Sequence, residues 1–117
     1  MTTVTDELAE AVRQAVITRY RWWFESDGGV KAIGRPEDLT IQRDERGHAL
    51  ISWEDGPEDW AMQVVEGGST EEERVLMAGA NQEFGGNLKA YEPEPATFPD
   101  GVTVEAYSSF VLGVYPA

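Results

Sequence analysis

The segment Trp53-Glu54-Asp55-Gly56-Pro57-Glu58-Asp59-Trp60 sets four carboxylates on one short turn between two tryptophans. Two kinds of chemistry suit such a turn. Clustered carboxylates inside an aromatic frame can meet an Arg- or Lys-rich protein surface, with Trp53, Trp60 or both as anchors inside a charged rim. Clustered oxygens can also hold a cation. A calcium loop of the EF-hand type, however, alternates its oxygen ligands and closes on a bidentate glutamate, and this turn does neither. No metal is expected. The same segment also reads as a solvated turn whose tryptophans begin and end strands facing the core, since acids favour turns and strand-end tryptophans favour interiors.

Other candidates for chemistry are sparse. His48 is the only histidine and there is no cysteine, so metal sites and nucleophilic triads lack partners and His48 reads as a surface residue. The glycine pairs at 28/29, 67/68 and 85/86 lack the strand-to-helix setting and the Gly-Lys-Ser/Thr ending of a phosphate loop. Glu71-Glu72-Glu73 reads as the first turn of a helix, where negative charge opposes the dipole. Tyr20, Trp22, Trp23 and Phe24 cluster at one helix end. Neighbours on a helix point about 100° apart, so Trp22 and Trp23 cannot share a core face, and the exposed one, taken as Trp22, could dock a partner. No catalytic residue and no cofactor site is expected.

Composition bounds the rest. The chain has 117 residues, 41% of them apolar, which suits one domain over 1–117 with its own core. The acidic start, Met1 to Glu7, lacks the basic flank and apolar stretch of a signal peptide, and no apolar run approaches the ~20 residues that span a bilayer. With no cysteine, a cytoplasmic protein is expected. Net charge is −13 and unevenly placed: residues 1–47 carry nine acids against seven bases, whereas residues 48–117 carry thirteen against two, Arg74 and Lys89. Such a surface repels phosphate backbones and anionic membranes and attracts basic proteins. Acid content for solubility alone is the plainer reading of the same charge.

The elements that must position these groups follow from periodicity. Val4, Leu8, Val12, Ala15/Val16, Tyr20 and Trp23/Phe24 recur at helical steps, predicting an amphipathic helix over about 5–24, capped by Thr3 or Thr5 and stopped by Ser26-Asp27-Gly28-Gly29. Val30-Lys31-Ala32-Ile33 suggests a short strand and Gly34-Arg35-Pro36 a turn. Leu39–Arg43 and Ala49–Trp53 alternate around Asp44-Glu45-Arg46-Gly47, the pattern of a hairpin with a left-handed glycine. Trp60–Val65 reads as a third strand, completing an antiparallel meander. Gly67-Gly68 ends it, and Ser69-Thr70-Glu71-Glu72 begins a short helix with Val75, Leu76 and Ala78 as its apolar stripe. The proline-rich stretch 91–101 must be an extended loop. Val102 to Tyr115, charged only at Glu105, predicts one long bent strand or two strands at the middle of the sheet, with a bulge or bend at Ser108-Ser109.

The expected fold class is therefore α+β: an N-terminal amphipathic helix packed on one face of an antiparallel sheet of about four to six strands, plus a second short helix. The expected function is that of a non-enzymatic, acidic protein-binding domain with a basic protein partner, acting as a monomer or homodimer and without contacting nucleic acid directly. An inhibitor of a nucleic-acid-handling enzyme, of the immunity or phage-encoded anti-defence kind, fits by size and charge. Two other classes stay open: a structural subunit of a larger assembly such as a virion component, and a small ligand-binding or hydrolase domain with a pocket between helix and sheet.

Overall fold

The N-terminal helix forms where the sequence places it. In the computed structural model, which describes residues 3–24, 33–70, 73–74 and 93–117, α1 spans Asp6–Arg19. Thr5 is its N-cap, and its hydroxyl accepts the Leu8 N–H at 3.1 Å, satisfying one of the amides that a helix start leaves without a partner. Tyr20 ends the helix at φ −108, ψ 30, and a single further turn, α2, covers Arg21–Phe24. The stripe Val4, Ala9, Val12, Val16, Tyr20 and Trp23 is buried. The predicted glycine stop and most of the 30–33 strand lie outside the described residues; Ile33 is exposed coil, and a turn of 3-10 helix follows at Pro36–Asp38.

The hairpin is present as β1, Thr40–Arg43, and β2, Ala49–Ser52, paired antiparallel with Ile41 opposite Ile51. Its turn is held by Asp44. The carboxylate accepts the Arg46 and His48 backbone N–H groups, each at 2.9 Å, while Gly47 takes φ +80.

The third strand of the expected meander does not exist. Residues Trp60–Glu66 form a helix, α3. Asp59 turns the chain at φ +62 before it. Trp60, Ala61 and Val64 are then buried at helical spacing, whereas Met62, which strand alternation would have put beside Trp60, is 46% exposed. The edge of β2 that this segment would have paired with is occupied by β4, so the β-branched valines could gain no ladder there, and burial on a helical face prevailed over propensity.

The C-terminal stretch divides into β3, Val102–Ser108, and β4, Val111–Pro116. The sheet order is β1-β2-β4-β3, all antiparallel. Of these two strands only β4 is central, beside β2, and β3 forms an edge. The expected irregularity is there too: the register shifts between Ala106 and Ser108. Residues 93–99 are extended, as three prolines in 93–99 require. Their ties are to α3 and its end: Ala96 N–H donates to Val64 O at 2.8 Å, and Gly68 N–H donates to Pro93 O at 2.7 Å.

The fold is thus α+β, with α1 and α3 on one face of a four-stranded sheet. Ala49, Ile51, Leu112 and Val114 face Val12, Val16, Trp23, Trp53 and Trp60 in one core. The central position of β4 carries a prediction. Leu112 is fully buried, so Leu112→Ala should lower unfolding free energy by about 2–5 kcal/mol in a denaturant titration.

Candidate functional site

The acidic turn is built on its first tryptophan. Trp53 follows β2 and its N–H donates to Phe110 O at 3.0 Å, which anchors the start of the turn to the β3–β4 connection. Its indole is fully buried and meets Phe24, Tyr20, Trp60 and Trp23 at ring-centroid distances of 5.1, 5.5, 5.5 and 5.9 Å. Such tilted and edge-to-face pairs add to the burial of their area. Trp60 closes the turn: its indole N–H donates to Trp53 O at 2.9 Å, and its backbone N–H donates to Pro57 O at 3.1 Å.

Gly56 lies directly on the Trp53 ring. A Cβ at that position would stand 2.6 Å from two indole carbons, a separation that neither the ring nor the turn can absorb without moving. Pro57 is buried, while Glu54, Asp55 and Glu58 are exposed and Asp59 half-buried. The turn therefore has an aromatic floor and an acidic roof. Trp53 and Trp60 are core residues and offer no surface to a partner, so the carboxylates alone are what the turn presents. Trp23 is also in the core at 6% exposure; Trp22 belongs to α2, but its side chain is outside those described.

The cations of the chain are used differently. Arg13 donates to Leu39 O at 3.0 Å and Pro36 O at 2.6 Å, Arg43 to Val4 O at 2.5 Å and Gly47 O at 2.9 Å, Arg19 to Gly68 O at 3.0 Å, and Arg74 to Ser69 O at 2.9 Å. Arg13, Arg19 and Arg43 thus stitch separate segments together through backbone carbonyls, while the Arg74 bond is local. Their forked donors suit that task. The same three also pair with Glu10, Glu73 and Asp6, and none pairs with a carboxylate of the acidic turn among the described residues.

Of the predicted helix that begins at Ser69-Thr70-Glu71-Glu72, residues 71–72 and 75–78 lie outside those described; Glu73 and Arg74 are helical, and the Glu73 backbone N–H donates to the Thr70 hydroxyl at 3.2 Å, as a helix first turn requires. What the sequence did not show is that the Glu73 side chain is fully buried and paired with Arg19 at 2.8 Å. Burial pushes its pKa above the ordinary 4.5, outweighing Arg19, Arg74 and the Tyr20 hydroxyl, which act in the opposite direction. The Arg19 guanidinium also lies 4.3 Å over the Tyr20 ring. Nothing in the run of three glutamates marks the third; the signal is an arginine far away in sequence.

His48 sits in the β1–β2 turn, 3.2 Å from Asp44 through Nδ1, with its ring edge-on to Tyr115 at 5.0 Å. Among the described residues no group of three or more His, Asp or Glu side chains is placed to hold a metal. No helix among them is long and apolar enough to cross a membrane. A shallow groove of about 300 Å³ separates α1 from residues 94–97. Thr18, Glu94 and Thr97 line it with Arg19, whose guanidinium is committed to Glu73 and Gly68. Comparison of the chain with protein-family models, with curated proteins and with solved structures found no match.

Two predictions follow from these contacts. Gly56→Ala should cost about 1–3 kcal/mol of unfolding free energy by over-packing against Trp53, and tryptophan fluorescence during denaturation reads it directly. The second concerns Glu73. The folded protein binds its proton more tightly than the unfolded chain, so the site stabilises most below about pH 4.5 and loses that contribution as pH rises through its raised pKa. Relative to wild type, Glu73→Gln should therefore gain stability as pH rises above about 4.5. A difference that moves the other way means that Arg19, not burial, governs the titration.

Proposed function

We propose that this protein is a non-enzymatic binding module that presents a rigid acidic surface to a basic protein partner, and that it works as an inhibitor of a nucleic-acid-handling enzyme in a cytoplasmic setting. The observation that carries this reading is the acidic turn. Glu54, Asp55 and Glu58 project from a backbone held by Trp53, Gly56, Pro57 and Trp60. Like charges held close together with no ion-pair partner among the described residues carry an electrostatic cost, which a positive surface offsets on binding. Pre-ordered backbone also reduces the entropy lost on association.

The tethered arginines support the same reading, because among the described residues none of them pairs with a carboxylate of the turn. An enzyme cleft that binds phosphate groups has the complementary potential, and an acidic protein of this size can occupy it. Association of that kind is steered at long range and weakens with salt.

The test is a charge-reversed turn. Glu54, Asp55 and Glu58 are changed to Lys, and Asp59 to Asn, since asparagine tolerates the left-handed backbone that Asp59 adopts. Wild-type protein should retain one stoichiometric basic protein from lysate of its source at low salt and release it at high salt. The variant, folded by circular dichroism, should lose that partner. Retention of the partner at undiminished affinity by the variant removes the turn from the interface; capture of no basic protein by the wild type counts against the reading as a whole.

A further inference from the structure

The sheet has a second face, and no described helix covers it. The β3–β4 register puts Val104, Leu112 and Val114 on the core side, and Thr103, Glu105, Gly113 and Tyr115 on the other. On that outer side Gly113 leaves room that the Tyr115 phenol fills, its hydroxyl lying where any Cβ at 113 would stand. His48 packs edge-on against the Tyr115 ring and braces it. Glu105, directly across from Gly113 in the ladder, is exposed.

Tyr107 completes the group. Ala106 pairs with Leu112 and Ser108 with Val111, so Tyr107 is the extra residue of a bulge, without a partner on β4. Bulges re-aim side chains, and this one holds Tyr107 at 64% exposure, the highest among the exposed large apolar side chains described. The Tyr115 phenol holds its proton more tightly than an ordinary tyrosine, through burial first and then through the charges of Glu105, Tyr107 and Asp44, so these groups bear on one small region. Glu105 has no ion-pair partner among the described residues.

We propose that Glu105, Tyr107 and Tyr115 form an acceptor for an arginine side chain of a basic protein partner. The proposal rests on the reading of this protein as a module for such a partner, and it supplies the aromatic anchor that Trp53 and Trp60, both buried, do not. A guanidinium pairs with a carboxylate through parallel N–H donors while its weakly hydrated plane stacks on an aromatic ring. A lysine ammonium has neither the plane nor the fork. Charge disfavours a second copy of this chain as occupant, since it would bring a net charge of −13 to the same place. Position fits as well. Ser52, which precedes the acidic turn, pairs with Val111, and Val111 pairs with Ser108. The turn and Tyr107 thus leave the same end of the sheet two strand spacings apart, about 10 Å, which one interface of ordinary size spans.

The experiment is a titration of ¹⁵N-labelled protein with acetylated, amidated Gly-Arg-Gly, with Gly-Lys-Gly and Gly-Gly-Gly as controls, followed by amide chemical shifts. Saturable shifts at 103–107 and 113–115 with the arginine peptide are expected. Affinity should fall at least about threefold in Glu105→Gln and Tyr107→Ala, and should persist in Tyr107→Phe, which keeps the ring. Shifts confined to 54–59, equal binding of the lysine peptide, or indifference to both substitutions overturns the proposal. The charge-reversed turn separates this from the preceding reading: sheet-face shifts that survive it leave the arginine acceptor standing even if the turn is dispensable. Loss of the lysate partner through the turn alone, with no sheet-face shifts, leaves the module and removes the acceptor.

Discussion

The packing of the Trp53 indole is the interaction on which the rest of this structure depends. Its ring joins α2, through Trp23 and Phe24, to Tyr20 at the end of α1 and to Trp60 at the start of α3. Its backbone joins β2 to the β3–β4 connection. α1, α2, α3 and both hairpins therefore touch one side chain or its peptide unit. Because Gly56 must lie flat on that ring, the path of the acidic turn is dictated from beneath, and its charged side chains have no direction left but outward. The core and the candidate binding surface are two sides of one indole.

Much of the local structure was legible from sequence, for reasons that are themselves local. Thr5, Asp6 and the stripe from Val4 to Trp23 specify a helix through caps and spacing, and Asp44 with Gly47 specifies a tight turn through a short-range carboxylate bridge and a positive φ. What was not legible depended on events elsewhere in the chain. Trp60-Ala61-Met62-Gln63-Val64-Val65 carries strand-forming residues in loose alternation, and nothing within it reveals that β4 occupies the place beside β2. The burial of Glu73 likewise depends on Arg19, and the Arg13 bonds to Pro36 and Leu39 on a chain reversal between them. For the candidate site, residue types and loop boundaries were readable, but the orientation of the tryptophans was not. A tryptophan at the end of a strand is compatible with either side of the sheet, and only the position of Gly56 over Trp53 decides it.

The arginines show how a strongly acidic chain stays folded. Carboxylates that repel one another destabilise a compact state, and opposing them by surface ion pairs is a weak remedy. Here Arg13, Arg19 and Arg43 each join a helix, strand or loop to carbonyl oxygens at least twenty residues away in sequence. A charged donor on a carbonyl is stronger than a neutral hydrogen bond, and the same three guanidinium groups also pair with Glu10, Glu73 and Asp6. Each of these arginines thus ties distant segments together and offsets one carboxylate at the same time.

The strand order carries a consequence for how the molecule reaches this state. β4, last in the chain, inserts between β2 and β3, and Ile51 finds its neighbour Leu112 about sixty residues later. The N-terminal hairpin can form early, but its inner edge stays unpaired until the C-terminal hairpin arrives. During that interval β2 offers free N–H and C=O groups and an apolar face built of Ala49 and Ile51. Closing so long a loop before any ladder bonds form is slow, so a nascent chain is most open to mispairing at β2, and completion of the sheet waits for residues 111–116.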